Sequence, residues 1–175
     1  MPKIIPELKK RLIETGRKLL LTGEPKDFSL RSISSECGIA VGTVYNYFTG
    51  KDQLIVAVLI DDWNKVLDDM KKSAQKADSF SMGLSHVYDD FANFILKYSA
   101  VWKNFGKGPS SKEGVSSHHD VLMNELGEVL DTLIKSCNKE ISKEEERIIC
   151  ELLLTAVLQK DIARDDFVEF VNKRI

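Results

Sequence analysis

What this chain has little of narrows its class first. Only three of its 175 residues are cysteine, at positions 37, 137 and 150. An odd number, widely spaced and without a CxxC pair, argues against a disulfide-stapled secreted scaffold and against a zinc site; no metal ligand set is expected. Reduced, buried thiols in a cytoplasmic chain are the simple expectation. No run approaches the ~18 apolar residues of a membrane span. The opening MPKIIPELKK lacks the apolar core of a signal peptide. Net charge is small, −2, which by itself argues against a general nucleic-acid coater. No segment alternates with period two for long enough to suggest a strand, and no internal repeat is visible. The nucleophile elbow of a hydrolase is absent, so no catalytic residue and no cofactor is assigned.

What is present is helical periodicity from end to end. Leu8, Leu12, Gly16, Leu19 and Leu20 recur at helical spacing, and Gly23 and Pro25 close that helix. Ser29 suits the N-cap of a short helix carrying Leu30, Ile33 and Cys37 inward, and Gly38 suits its C′ position. A second short helix follows three residues later and ends near Phe48. Gly50 can cap a long amphipathic helix whose stripe is Ile55, Leu59, Trp63, Val66 and Met70. Residues 71–82 are polar and small, a plausible hinge. Another stripe runs from Leu84 to Tyr98. Residues 106–117 (GKGPSSKEGVSS) are the most loop-like part of the chain. Leu122 to Cys137 form a further stripe. Ser142 and Glu145 then make a capping box for a helix containing IICELLLTAVL, residues 148–158. A helix apolar nearly all round needs cover on more than one side. Its own core supplies one cover, and a second copy of the chain is expected to supply the other. Leu153, Leu154 and Val157, with Phe167 and Val171 of the last helix, are the candidate interface residues.

Charge is distributed unevenly. Residues 1–52 hold nine Lys and Arg against six Asp and Glu, while the remainder holds sixteen against twenty-one. A basic head on an acidic body fits a DNA-binding module joined to a second part. The two short helices around Gly38 supply that module, because a helix pair joined by a tight Gly-containing turn is a helix-turn-helix. Val44 and Phe48 face back onto the first helix of the pair. Thr43, Tyr45, Asn46 and Tyr47 are left to point outward or sideways. Hydroxyls and phenols suit phosphate oxygens, and Lys51 adds a cation beside them.

The run from Ile33 to Leu54, ISSECGIAVGTVYNYFTGKDQL, resembles the tetracycline-repressor family of bacterial regulators at Ile33, Gly38, Gly42, Thr43, Tyr45, Tyr47, Phe48, Lys51 and Leu54. The motif covers about residues 8–60. The resemblance implies an all-α chain: a three-helix helix-turn-helix domain over 1–52 and a helical ligand and dimerisation domain over 53–175, joined by a helix at about 51–76. It implies that Thr43, Tyr45, Tyr47 and Lys51 contact phosphates. Ser29 and Arg31 fall where relatives touch the backbone and sometimes a base. Ala40, Val41, Gly42 and Asn46 fall at the variable, base-facing places. Ala40 departs from the usual serine cap, at a cost of about 1 kcal/mol. The resemblance further implies a homodimer built on helices at about 143–160 and 165–175, a palindromic DNA operator, and repression released by a small apolar or weakly anionic effector. Phe94, Tyr98, Trp102, Phe105 and Met123 are candidates to line the effector cavity. The alternative function is a helical ligand-binding or scaffold protein with a vestigial helix-turn-helix. The vicinal His118 and His119 point roughly 100° apart on a helix, so surface histidines are favoured over two ligands of one ion.

Overall fold

The computed structural model describes residues 6–22, 28–101, 112–159 and 162–175, with only the backbone described for Pro6 and 112–118. The described residues form helices and no strand. In chain order these are α1 (Pro6–Thr22), α2 (Leu30–Glu36), α3 (Val41–Tyr45), α4 (Lys51–Gln75), α5 (Phe80–Lys97), α6 (Lys112–Ser136), α7 (Lys143–Gln159) and α8 (Arg164–Asn172). No described helix is long and apolar enough to cross a membrane. The chain divides into two compact units, Met1–Asn64 and Lys65–Ile175, and the division falls inside α4.

In the first unit the core is Leu12, Ile33, Val44, Phe48, Leu54 and Val58, all nearly or fully buried. Gly16 faces α4, and a Cβ there would sit in ordinary contact, 3.4 Å from the Leu54 side chain. Beside that contact Arg17 pairs with Asp61, and its Nε lies 2.7 Å from the buried Asp62. A buried carboxylate needs such a partner, because transfer from water without one is costly.

In the second unit α5 is the central element and packs against α6, α7 and α8. Its buried stripe is Phe80, Leu84, Val87, Phe91 and Phe94. Tyr88 on its flank stacks at 5.8 Å on Phe167 of α8 and donates to the Ile162 carbonyl at 3.3 Å. Two expectations need correction here. The polar stretch 71–82 is no hinge. α4 stays helical to Gln75, Lys71 pairs with Glu128 at 2.7 Å, and the Ser136 hydroxyl donates to the Ala74 carbonyl at 2.7 Å. The expected loop at 106–117 is helical from Lys112. Beyond Pro109 only Gly114 opposes helix, and its cost of about 1 kcal/mol is small beside a long packed stripe.

α6 and α7 pack through a buried acid. The Glu146 side chain, 11% exposed, lies against Gly127, where a Cβ would come within 2.7 Å of its Oε1. Lys143 Nζ bridges Glu146 at 2.7 Å and Asp131 at 2.8 Å. Burial, more than any neighbour, raises Glu146 above its ordinary 4.5, and the Lys143 hydrogen bond lowers Asp131 below its ordinary 3.8. Stability contributed by Glu146 is therefore complete below 4.5 and is lost as pH rises through its raised folded value. Asp131 acts in the opposite sense and only at the acid end.

Two outcomes are expected. Glu146→Gln should flatten the decline of the urea midpoint as pH rises above 4.5, and a slope identical to wild type would contradict this placement. Gly83→Ala should destabilise by about 1–2 kcal/mol despite the helix propensity it gains. Its Cβ would fall 2.1 Å from Cδ1 of the fully buried Leu133, and a stabilised variant in chemical denaturation would show that this packing is wrong.

Candidate nucleic-acid interface

The candidate surface is built on the α2–α3 pair. α2 begins at Ser29, whose Oγ accepts from the Ser32 amide at 3.0 Å while Ser32 Oγ accepts from the Ser29 amide at 3.1 Å. This reciprocal capping box satisfies two of the free amides at the helix start. It also engages the Ser29 hydroxyl within the chain, as its expected N-cap position requires, and adds the return bond from Ser32. α2 ends on Cys37, and Gly38 follows at φ +64°, a left-handed backbone that glycine adopts without strain. The Ile39 amide then bonds the Ser34 carbonyl at 3.0 Å and closes the turn.

α3 has five residues. It starts where the sequence placed it and ends early, at Tyr45 rather than near Phe48. Ala40 is in the extended conformation of an N-cap but has no side-chain acceptor to offer. At its other end single-turn bonds carry the chain on, from the Tyr47 and Phe48 amides to the Val44 carbonyl at 2.9 and 3.0 Å. The helix is held from behind. Val44 is fully buried and Phe48 is 2% exposed. The opposite side is open: Tyr45 is 55% exposed, and Arg31, Ala40, Gly42, Asn46 and Lys51 are exposed. Ser29, Val41, Thr43 and Tyr47 are half-buried. The ten residues singled out from the sequence thus share one region of the first unit, none of them fully buried.

Three fixing contacts were not foreseen. Arg11 Nη2 donates to the Cys37 carbonyl at 3.1 Å, so this cation of α1 caps the end of α2. The Cys37 thiol lies 3.3 Å from the Thr15 hydroxyl. The Thr49 amide donates to Gln53 Oε1 at 2.7 Å, which secures the bend between α3 and α4. A signal existed for the last: Thr49 and Gln53 stand four apart around the start of α4.

The other candidate residues fall in the second unit. Phe94 and Tyr98 meet edge-on at 5.5 Å, and both are buried, as is Met123. Trp102 and Phe105 lie outside the described residues. Leu153, Val157, Phe167 and Val171 are at most 4% exposed within the single chain, so they cannot face a partner. Leu154 is half-buried. The apolar side chains left open on these helices are Ile148, Leu158 and Phe170, at 57, 54 and 43% exposure. The all-round apolar sequence of α7 concealed which face turned inward. His119 bonds Glu151 through Nε2 at 3.1 Å.

Comparison with known proteins agrees with this geometry. Residues 12–58 match the sequence profile of bacterial regulatory proteins of the tetR family. The HTH-type transcriptional regulator Rv1816 of Mycobacterium tuberculosis is 30% identical over 98 residues, 55% of this chain. The chain spans less than half, 42%, of the length of that relative. A transcriptional regulator from Cytophaga hutchinsonii superposes with a TM-score of 0.68 at 17% identity, covering 97% of this chain and 94% of its own. FadR of Bacillus subtilis, solved in complex with stearoyl-CoA, does so at 0.60 and 14% identity, covering 94% of each chain. These likenesses show a shared all-helical fold.

The uncapped start of α3 has a measurable consequence. Ala40→Ser should raise stability by about 1 kcal/mol, because the backbone already has cap geometry and the new hydroxyl can accept from the first-turn amides. An unchanged denaturation midpoint would mean that α3 is already fully satisfied without a cap.

Proposed function

We propose that this chain, whose residues 12–58 match the tetR-family profile, is a member of that family and a DNA-binding transcriptional regulator, a repressor that binds an inverted-repeat operator as a homodimer in the cytoplasm. The observation that carries the reading is the display of α3: its apolar side is buried by Val44 and Phe48, and its polar side is open to solvent. α3 enters the major groove. Thr43, Tyr45, Tyr47 and Lys51 anchor phosphates, while Arg31 and Asn46 reach base edges. Ala40 and Val41 meet thymine methyls. Met1–Asn64 serves as the reading head and Lys65–Ile175 as the regulatory and dimerisation body. Two heads on a two-fold axis read a palindrome.

A small molecule bound in the body shifts the spacing of the heads and releases the operator. The aromatic set around Phe94 and Tyr98 favours an apolar or weakly anionic effector; the stearoyl-CoA solved with FadR shares the apolar part of that chemistry in its acyl chain, while its CoA part is strongly anionic. Family and fold point to a non-enzyme. The competing reading, a helical binding protein with a vestigial helix-turn-helix, differs in one observable, which is salt-dependent binding to its own upstream DNA.

Binding to that DNA, titrated in salt, tests the reading. Lys51→Ala should weaken specific and random DNA alike and reduce the log–log salt slope by about 0.9, one phosphate's worth. Thr43→Val and Tyr45→Phe should weaken binding at unchanged slope. Arg31→Ala or Asn46→Ala should cost about 1–3 kcal/mol and relax preference at one base pair per half-site. No binding by wild type, or no change in all five variants, would favour the vestigial alternative.

A further inference from the structure

The bend between α3 and α4 holds a contact with no part in the functions above. Phe48 before it is 2% exposed and Leu54 after it is fully buried, so the core of the first unit fixes both ends. The residues between are open to solvent: Thr49, Lys51, Asp52 and Gln53 are exposed, and Gly50 is half-buried. A Cβ on Gly50 would meet nothing beyond its chain neighbours within 4 Å, so no packed side chain braces the bend there. The first backbone bond of α4, from the Leu54 amide to the Gly50 carbonyl, is long at 3.4 Å.

One side chain closes this stretch. Gln53 reaches back from the first turn of α4, and its Oε1 accepts from the Thr49 amide at 2.7 Å and from the Thr49 hydroxyl at 3.3 Å. The ring closed by these bonds contains Gly50 and Lys51. Glycine has the widest choice of φ and ψ of any residue, and ring closure removes much of that choice. The direction in which Lys51 leaves the backbone is thereby set before any partner arrives. The bend also sets the spacing between Tyr47 on one side and Lys51 on the other.

We infer that Gln53 is a positioning residue for DNA binding, which holds the bend so that Lys51 stands ready for its phosphate. The inference rests on the DNA-binding reading above. Gln53 acts without touching DNA. A segment ordered at the moment of binding subtracts its ordering cost from affinity, and a segment ordered in advance does not. The rival account makes the Gln53 contact a helix-start bond that serves stability alone. The two accounts differ in whether the effect of Gln53 on binding depends on Lys51.

A double-mutant cycle on binding to the duplex from upstream of the chain's own coding region separates them. Gln53→Met keeps side-chain length and helix propensity but loses the carboxamide oxygen. With Lys51 present it should weaken binding roughly fivefold, the ordinary worth of one hydrogen bond. With Lys51 already alanine it should weaken binding by less than about twofold, because the two residues then no longer act together. In amide exchange of the free chain, Thr49 should lose protection in Gln53→Met and keep it in Gln53→Glu, which retains the acceptor. The Phe48 amide, bonded to the Val44 carbonyl, should stay protected in both. Equal losses of affinity with and without Lys51, unchanged binding in Gln53→Met, or unchanged Thr49 protection overturns the inference and leaves the DNA-binding reading standing. A wild-type chain that does not bind this duplex at any salt concentration removes that reading, and the inference with it.

Discussion

Val44 and Phe48 hold in place everything that α3 displays. A helix of five residues cannot sustain itself, because nucleation costs more than one or two internal hydrogen bonds return. Its position is fixed from outside, by two apolar side chains sunk into the core of the first unit. Once they are buried, helical geometry leaves Tyr45 and Asn46 no choice but to face solvent. The rest of the first unit serves that placement. Gly38 makes the turn, Arg11 caps the end of α2, and Gln53 secures the bend into α4.

A second constraint is the charge carried inside the helical packing. Asp62 in α4 and Glu146 in α7 are buried acids. Each has a cation beside it, Arg17 shared with Asp61 in one case and Lys143 shared with Asp131 in the other. Such pairs add little net stability, but removing one partner leaves a buried charge exposed to its full desolvation cost. Arg17 thereby ties α1 to α4, and Lys143, which shares α7 with Glu146, ties it to α6 through Asp131, so these charges help fix which helix faces meet. Apolar stripes alone specify this poorly, because one leucine face packs on another in several registers.

Where the sequence was legible, short-range physics decided the outcome. Ser29, Gly38 and the Ser142–Glu145 box act on their own neighbours, and each sits where spacing placed it. Val44 and Phe48 were readable because a helix-turn-helix leaves only one side for apolar residues. The long-range contacts were not readable. Nothing local pairs Arg17 with Asp61 and Asp62, or His119 with Glu151, since those partners meet only after folding. The inward face of α7 was misjudged for a related reason. In IICELLLTAVL apolar residues occupy almost every direction, so periodicity carries little information about which side is buried. Residues 112–117 were mistaken for loop because serine and glycine composition outweighed their continuity with the α6 stripe.

The central claim is that the open side of α3 and its flanks meets duplex DNA. Amide chemical-shift mapping of the labelled chain, titrated with the duplex from upstream of its own coding region, tests it at residue level. The account predicts perturbations concentrated between Ser29 and Lys51, strongest around Thr43 to Tyr47. Shifts absent from that stretch, with saturable changes elsewhere in the chain, would contradict it.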